Sequence, residues 1–375
     1  MKILFTGGGT GGHFYPVLAV IDAVDDIGAE RHLVEITKHY MAATPYNKEA
    51  LFSRHVHFHR VPAGKMRAYF SLLNFFDIFK TGFGILKAVV QVYFIFPDVV
   101  FSKGGPDSVP ALIAARIFGI PVVIHESDAV PGTTSRWAGK FARNIAVGFS
   151  EAAQYFDHEK VAHTGNPVRK EILEPQHTGA RSFFKLEEDI PAIVILGGSQ
   201  GAQSINEHIL DALPDLVNRY YVIHQTGQRN FAETSHVGKI ILERHEFGYR
   251  YKPFAYLNDL EMKMAAGAGD LFIARAGAST IAELASWSVP AIIVPLSTAK
   301  RDHQRENAYA YARTGAAEVI DEANLTPNIL IAEVDRLIEN KAKRDEMRKN
   351  AKAFAEPEAA KKIADELVRI GLEHE

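Results

Sequence analysis

Twice along this chain a short apolar run stops at a cluster of glycines and gives way to a helical pattern. Lys2-Ile3-Leu4-Phe5 runs into Gly7-Gly8-Gly9-Thr10-Gly11-Gly12, and Ile193-Val194-Ile195-Leu196 runs into Gly197-Gly198-Ser199-Gln200-Gly201. An apolar run without polar alternation reads as a strand buried on both faces, as in a parallel sheet covered by helices. Lys2–Phe5, His32–Ile36, Asp98–Phe101 and Pro121–Ile124 are such runs in the first half, with Tyr15–Asp26 and Val109–Phe118 as helices between them. Ala192–Leu196, Tyr221–His224, Leu271–Ala274 and Ala291–Val294 repeat the series in the second half. The expected fold is α/β: two Rossmann-like parallel-sheet domains facing across a cleft, with ligands at the carboxyl ends of the strands.

At 375 residues the chain is long for one core and comfortable for two. The first domain is expected over 1–170 and the second over 190–350. Between them 171–189 reads as a polar linker with Pro175 and Gly179, and 351–375 reads as a charged C-terminal helix. Apolar residues at 47% and charged ones at 23% are the composition of a globular protein. A net charge of −3 offers no basic footprint for nucleic acid. The chain has no cysteine, which excludes disulfides and thiolate metal sites. Met1-Lys2-Ile3-Leu4-Phe5 leaves no room for a signal peptide, so a cytoplasmic location is expected.

A glycine turn between strand and helix lets backbone N–H groups approach an anion, and the helix N-terminus adds roughly half a positive charge. The first turn satisfies G-x-G-x-x-G through Gly7, Gly9 and Gly12, and Glu35 stands about where a dinucleotide enzyme places its ribose-binding acid. These residues permit an NAD-dependent oxidoreductase. They do not form a Walker A loop, since no Lys-Ser or Lys-Thr follows. Two features oppose NAD. Pro16 and His13 stand at the helix start, where a dinucleotide loop needs small residues, and His13 puts an imidazole at the phosphate or sugar end of the site. The second half also carries two further turns that one dinucleotide would not need: the one at Gly197 and Arg275-Ala276-Gly277-Ala278-Ser279-Thr280. Glu283, just beyond, either complements the helix macrodipole or suits the vicinal hydroxyls of a ribose.

Seven motifs then appear in order. Thr6-Gly7-Gly8-Gly9-Thr10-Gly11-Gly12-His13 with Tyr15-Pro16 is followed by Ser102-Lys103-Gly104-Gly105 with Ser108-Val109-Pro110, by His125-Glu126-Ser127-Asp128 with Pro131-Gly132, and by Thr164-Gly165-Asn166-Pro167-Val168-Arg169. Gly197 through Asn206, Arg275 through Glu283, and Asp302-His303-Gln304 through Asn307 complete the set. Over residues 1 to about 330 the chain resembles the MurG family of glycosyltransferases. That resemblance implies the GT-B fold, with UDP-N-acetylglucosamine as donor and a lipid-linked muramyl-pentapeptide diphosphate as acceptor. No cofactor and no metal are expected, since the chain has no D-x-D. Ser199 and Arg169 would contact the donor diphosphate, and Ala278, Ser279, Thr280, Ile281, Ala282 and Glu283 would hold phosphate and ribose. Gln304 would read sugar hydroxyls, and Ala255 would lie in a uracil pocket near Phe254–Tyr256. Thr10, Gly11 and Gly12 would line the donor sugar or the acceptor diphosphate. Many members carry Gln-Asn where this chain has Ser127-Asp128; Asp128 can still accept from a sugar hydroxyl but cannot donate as an amide does.

The implied reaction is an inverting transfer to the muramyl C4 hydroxyl. It needs a base and a means of stabilising the departing diphosphate. His13 is the candidate base, with Glu126 and His125 behind it, because an unperturbed imidazole titrates near the working pH; a structural or acceptor-binding His13 is the competing reading. Arg169 and the turn amides would stabilise the leaving UDP. No D-x-D metal clamp occurs, so turnover in EDTA is expected.

Tyr69–Phe96 holds nine aromatics in 28 residues, and Gly64–Pro97 holds Lys65, Arg67, Lys80 and Lys87 against one acid, Asp77. This stretch reads either as a core helix plus loop or as a surface dipping into anionic headgroups, which Arg136, Lys140 and Arg143 could extend. The expected location is therefore peripheral on the inner face of the plasma membrane. His55, His57 and His59 alternate, so they form either a metal site or a solvated strand edge. Another UDP-sugar transferase acting on a glycolipid, or a non-catalytic UDP-sugar-binding module, also fits the motifs.

Overall fold

The structure, a computed structural model, describes residues 1–33, 35–64, 72–198, 201–297 and 302–374, with residues 72–79 described in backbone only. It divides into two units: Met1–Arg169 together with Glu356–Glu375, and Lys170–Ala355.

In the first unit the strands are β1 (Lys2–Thr6), β2 (Thr37–Ala42), β3 (Val56–Arg60), β4 (Val99–Ser102), β5 (Val122–Glu126), β6 (Asn144–Val147) and β7 (Val161–His163). They pair in parallel in the order β3-β2-β1-β4-β5-β6-β7. The period-two alternation of a strand sends Ile3 and Phe5 to one face and Leu4 to the other. Ile3 and Phe5 meet Val17 and Ile21 of the helix Gly11–Glu30 and Leu367 and Val368 of the helix Ala359–His374. Leu4 joins Met41 and Val100 under Ala88 and Val92 of the helix Leu72–Ile95 and Ala111 and Leu112 of the helix Val109–Phe118. The last helix of the chain is thus part of the first unit's core.

The second strand differs from the sequence expectation. The helix Gly11–Glu30 runs on past Asp26, the chain turns through Arg31 and His32 (φ 54°), and the ladder begins only at Thr37. Leu33 and Ile36 pack on the core as connection, not as strand. Hydropathy hid β2 because it carries Lys38, whose ammonium is buried only by pairing with Asp25 at 2.5 Å. Glu35 consequently sits at the amino end of the sheet, where its carbonyl accepts from the Met1 amino group. That is the wrong end for binding a ribose at the carboxyl edge, so the first-unit feature favouring NAD is lost.

The second unit has β8 (Ala192–Leu196), β9 (Tyr221–Gln225), β10 (Tyr251–Phe254), β11 (Leu271–Arg275), β12 (Ala291–Val294) and β13 (Ala317–Val319), in the parallel order β10-β9-β8-β11-β12-β13. In both units the strand order reverses beside the first strand, the doubly wound arrangement. Within 171–189, Ile172 and Ala180 are fully buried, and the Ile172 carbonyl accepts from Trp287 Nε1 at 2.6 Å.

Because Leu367 is wholly buried against the first unit, Leu367→Ala should lower that unit's stability by about 2–5 kcal/mol. Urea unfolding followed by intrinsic fluorescence is the check.

Candidate active site

At the carboxyl edge of the first unit, β1 and β4 are neighbours, so the turns leaving them lie side by side. A Cβ on Gly105 (φ 83°) would stand 3.3 Å from Gly8 Cα, and one on Gly7 would stand 3.3 Å from Lys103 Cβ. At 105 the left-handed φ itself favours glycine, and at 7 a Cβ would stand closer than ordinary van der Waals contact. Beyond the first turn the helix opens with Thr10 as N-cap and Gly11, Gly12 and His13 in its first turn. Thr10 and Gly12 are exposed, Gly11 is buried and His13 is half-buried. The His13 Nδ1–H donates to the Lys103 carbonyl at 3.3 Å, which leaves the Nε2 lone pair as the ring's acceptor. Burial and the Lys103 ammonium lower the His13 pKa below the ordinary imidazole value, while Asp128 and the Lys103 carbonyl pull it up.

Glu126 ends β5 and is almost completely buried. Its Oε1 accepts from the Asp128 amide and its Oε2 from the Gly132 amide, each at 3.0 Å, and Ser135 adds a side-chain bond. Burial and Asp128 push its carboxyl pKa up against those bonds. These contacts clamp the turn 127–132 and place Asp128, half-buried, in the field of His13 and Lys103. His125 is fully buried with Nε2 on the Gly165 carbonyl at 3.0 Å, and burial and Lys103 hold its pKa well below the ordinary value. It pins the loop 164–169. Arg169 ends that loop nine-tenths buried, its guanidinium 4.1 Å over the Tyr15 ring.

In the second unit the turn after β8 has Gly198 (φ 74°) and Gly201 (φ 78°) in the left-handed region, and Ser199 lies outside the described residues. The helix Ala278–Ser286 opens after Gly277; Ala278 and Ile281 are buried, whereas Ser279, Thr280, Ala282 and Glu283 are half-buried around its first turns. Asn307, fully buried, donates to the Ala276 carbonyl at 3.2 Å and fixes that turn. Gln304 Oε1 accepts from the Leu296 amide at 3.0 Å, which leaves its NH₂ group directed elsewhere. Ala255 is half-buried on the segment following β10, whose Phe254 carbonyl accepts from the Thr226 amide.

Sequence reasoning quoted Lys103 only as part of a motif, yet it is 97% buried by its 3% exposure and sits at the centre of the first half-site. It also missed a buried chain in the second unit, Asn206 Oδ1 to His224 Nε2 at 2.9 Å and His224 Nδ1 to the Tyr251 hydroxyl at 3.1 Å. Burial pushes the His224 pKa down to about 3, so the chain is neutral. Among the three alternating histidines, His55 precedes β3 with φ 54° and does not share the strand face. His59 instead bonds His39 of β2 at 2.9 Å, with the His57 ring 5.4 Å from that of His39. No group of three or more His, Asp or Glu among the described residues is arranged to hold a metal.

Two doubly wound parallel-sheet units, each with a glycine turn and a helix N-terminus at its carboxyl edge, are the architecture of the GT-B fold. The glycosyltransferase family 28 N-terminal domain matches residues 3–147 and the family 28 C-terminal domain matches residues 192–363. Among curated proteins, UDP-N-acetylglucosamine–N-acetylmuramyl-(pentapeptide) pyrophosphoryl-undecaprenol N-acetylglucosamine transferase of Treponema denticola is 36% identical over 346 residues, covering 88% of this chain and 86% of that one. A Bacillus cereus protein of the same name, numbered 2, is 37% identical and covers 90% and 92%. Among solved structures, Acinetobacter baumannii MurG superposes with a TM-score of 0.73 at 26% identity, covering 98% and 99%. The UDP co-structure of Staphylococcus aureus MnaA, at TM-score 0.70 and 14% identity, shares the fold. The chain belongs to glycosyltransferase family 28, with the MurG-type N-acetylglucosamine transferases.

The clamp role makes a sharp expectation. In Glu126→Gln one amide N–H of the turn would face an NH₂ donor, leaving a buried donor unsatisfied at about 1–3 kcal/mol. Thermal unfolding should register that loss, and Glu126→Asp should not restore both bonds.

Proposed function

We propose that this chain transfers N-acetylglucosamine from UDP-N-acetylglucosamine to the C4 hydroxyl of the muramyl sugar of a lipid-linked diphosphate acceptor. The relatives' shared name supports this reading, since they match about nine-tenths of the chain at 36–37% identity. The acceptor O4 attacks the anomeric carbon as the bond from that carbon to the diphosphate oxygen breaks. The configuration inverts, UDP leaves, and His13 Nε2 takes the hydroxyl proton. Glu126 holds the turn that presents Asp128 to the acceptor and is not the base in this scheme. In the second unit, charge growing on the diphosphate is met by backbone amides of the Ala278 turn, with Glu283 on the ribose hydroxyls, Gln304 on the sugar and Ala255 beside the uracil.

UDP release from UDP-N-acetylglucosamine, measured with and without a lipid-linked muramyl acceptor in EDTA, tests the assignment. Release that requires the acceptor and survives chelation is expected; absence of acceptor-dependent release would overturn it. In single turnover, His13→Ala should cost between about 10²- and 10⁴-fold, the usual range for general-base catalysis, and a loss under about tenfold would remove His13 from the role.

The same reading places the protein at a membrane surface. Phe83, Leu86, Val90, Tyr93 and Phe94 recur at three- and four-residue steps along the helix Leu72–Ile95, and all are exposed. Phe94 is 78% exposed, and Ile117 of the neighbouring helix extends the face. Lys80, Arg116, Lys140 and Arg143 are exposed in the same unit, whereas 65–71 lie outside the described residues. No helix among the described residues is long and apolar enough to cross a membrane. An exposed apolar stripe near cations suits insertion at the level of anionic headgroups. Vesicles rich in phosphatidylglycerol should float the protein at low salt and Phe94→Asp should abolish flotation; a protein that stays at the bottom of the gradient would refute this contact.

A further inference from the structure

Three neighbouring strands of the second unit end side by side, and one buried side chain ties their ends together. β9 lies between β8 and β10, and its last residue, Gln225, pairs in register with Leu196 on one side and Phe254 on the other. The Gln225 side chain is buried. Its Nε2 donates to the Gly198 carbonyl, in the turn that leaves β8, at 3.3 Å. Its Oε1 accepts from the Leu257 amide, in the segment that follows β10, also at 3.3 Å. One contact needs a donor and the other an acceptor. A side-chain amide meets both in a single orientation; neither a carboxylate nor an aliphatic chain does. The main chain around Gln225 is held as closely. The Gly197 amide donates to its carbonyl at 3.1 Å, and a Cβ on Gly197 would stand 2.9 Å from that oxygen. A Cβ on Gly201 would stand 2.7 Å from the Thr226 carbonyl oxygen, so the glycine turn rests directly on the end of β9. Thr226 donates its amide to the Phe254 carbonyl at 2.9 Å, and its own carbonyl accepts from the Asn206 side chain at 3.0 Å. On the far side of Leu257, Asn258 caps the helix Asp259–Ala268 reciprocally with Glu261. Ala255 and Tyr256 therefore lie between two fixed points of backbone.

We propose that Gln225 is a positioning residue for the donor nucleotide: it sets the glycine turn after β8 against the segment 255–257, so that the diphosphate and the uracil of one molecule are met at a fixed separation. The proposal rests on the reading of this unit as the UDP-sugar site. A nucleotide fixes the distance between its base and its phosphates covalently, so a preorganised site must hold the two receiving surfaces at a matching distance. Here that distance is set by one buried amide bonded at both ends. Gln225 acts through the turn and the segment, and not on the donor itself. The two ends of the site are consequently coupled, and ordering one orders the other.

Titrations of the full chain with uridine and with UDP, followed by the NMR signals of the ligand, give the factor by which the diphosphate improves binding. Gln225→Leu keeps the apolar bulk and loses both hydrogen bonds, and in it that factor should shrink about tenfold. A side chain that only stabilises the fold would lower the thermal transition and leave both affinities unchanged. One that holds only the base segment would weaken uridine and UDP equally. Either result overturns the proposal. The coupling is also readable without a substitution. Uridine bound to the wild-type chain should slow amide hydrogen exchange in the peptide spanning 197–202 as well as in the one spanning 254–258. Protection confined to 254–258 overturns the proposal, and this measurement decides alone should Gln225→Leu fail to fold. A wild-type chain that binds neither ligand removes the UDP-sugar reading and this inference with it. Binding with a factor unchanged in Gln225→Leu removes only the role of Gln225.

Discussion

The near contact of two glycine turns at the edge of one sheet organises the first unit. Neighbouring parallel strands β1 and β4 deliver their turns to the same place, and Gly8 Cα would be 3.3 Å from any Cβ at position 105. That approach buries the stem of Lys103 and brings its carbonyl to His13. A side chain at Gly7 or Gly105 would push the turns apart, and Gly105 also needs its left-handed φ of 83°. The hydrogen bond from the His13 ring to the Lys103 carbonyl spans these two turns.

A second constraint governs both units. Where parallel strands end, backbone groups leave the ladder and must find partners in the turns. In the first unit a carboxylate supplies them, with Glu126 accepting from two amides. In the second unit side-chain amides do so: Asn206 donates to the Thr226 carbonyl, Asn307 to the Ala276 carbonyl, and Gln304 accepts from Leu296. Arg275 adds an ion pair to Glu322, which in turn accepts from the Ser297 amide and hydroxyl. Burial alone would raise the Glu322 pKa, but Ser297 and Arg275 outweigh it and hold it at about 2. These residues stiffen the turns on which the transferase reading depends, which is why motifs carrying them lie next to the glycines.

The aromatic helix obeys a different economy. Its inner residues Ala88 and Val92 are small and fully buried against the sheet, so the large side chains at Phe83, Leu86, Tyr93 and Phe94 have only the outside left to occupy. A glycine at position 84 allows the helix to press directly on the Pro62 carbonyl, 1.8 Å from where a Cβ would be. Close packing inside and apolar bulk outside are thus two faces of one composition.

Periodicity and glycine placement were enough to read two parallel α/β halves, because an unbroken apolar strand and a strand-to-helix glycine turn are local signals that neighbours along the chain determine. The strand-to-helix turns that carry His13 and Ala278 were legible for the same reason. What the chain alone left undecided involves partners distant in sequence. β2 was misplaced because Lys38 is rendered buriable only by Asp25, and the two amide hydrogen bonds that Glu126 accepts, from Asp128 and Gly132, could not be read from the chain. Lys103 looked like a motif letter; its near-complete desolvation beside Asp128 and His13 arises only when β1, β4 and β5 are laid side by side. Burial and electrostatic field are properties of the folded surroundings, whereas hydrophobic pattern and turn chemistry belong to the chain itself.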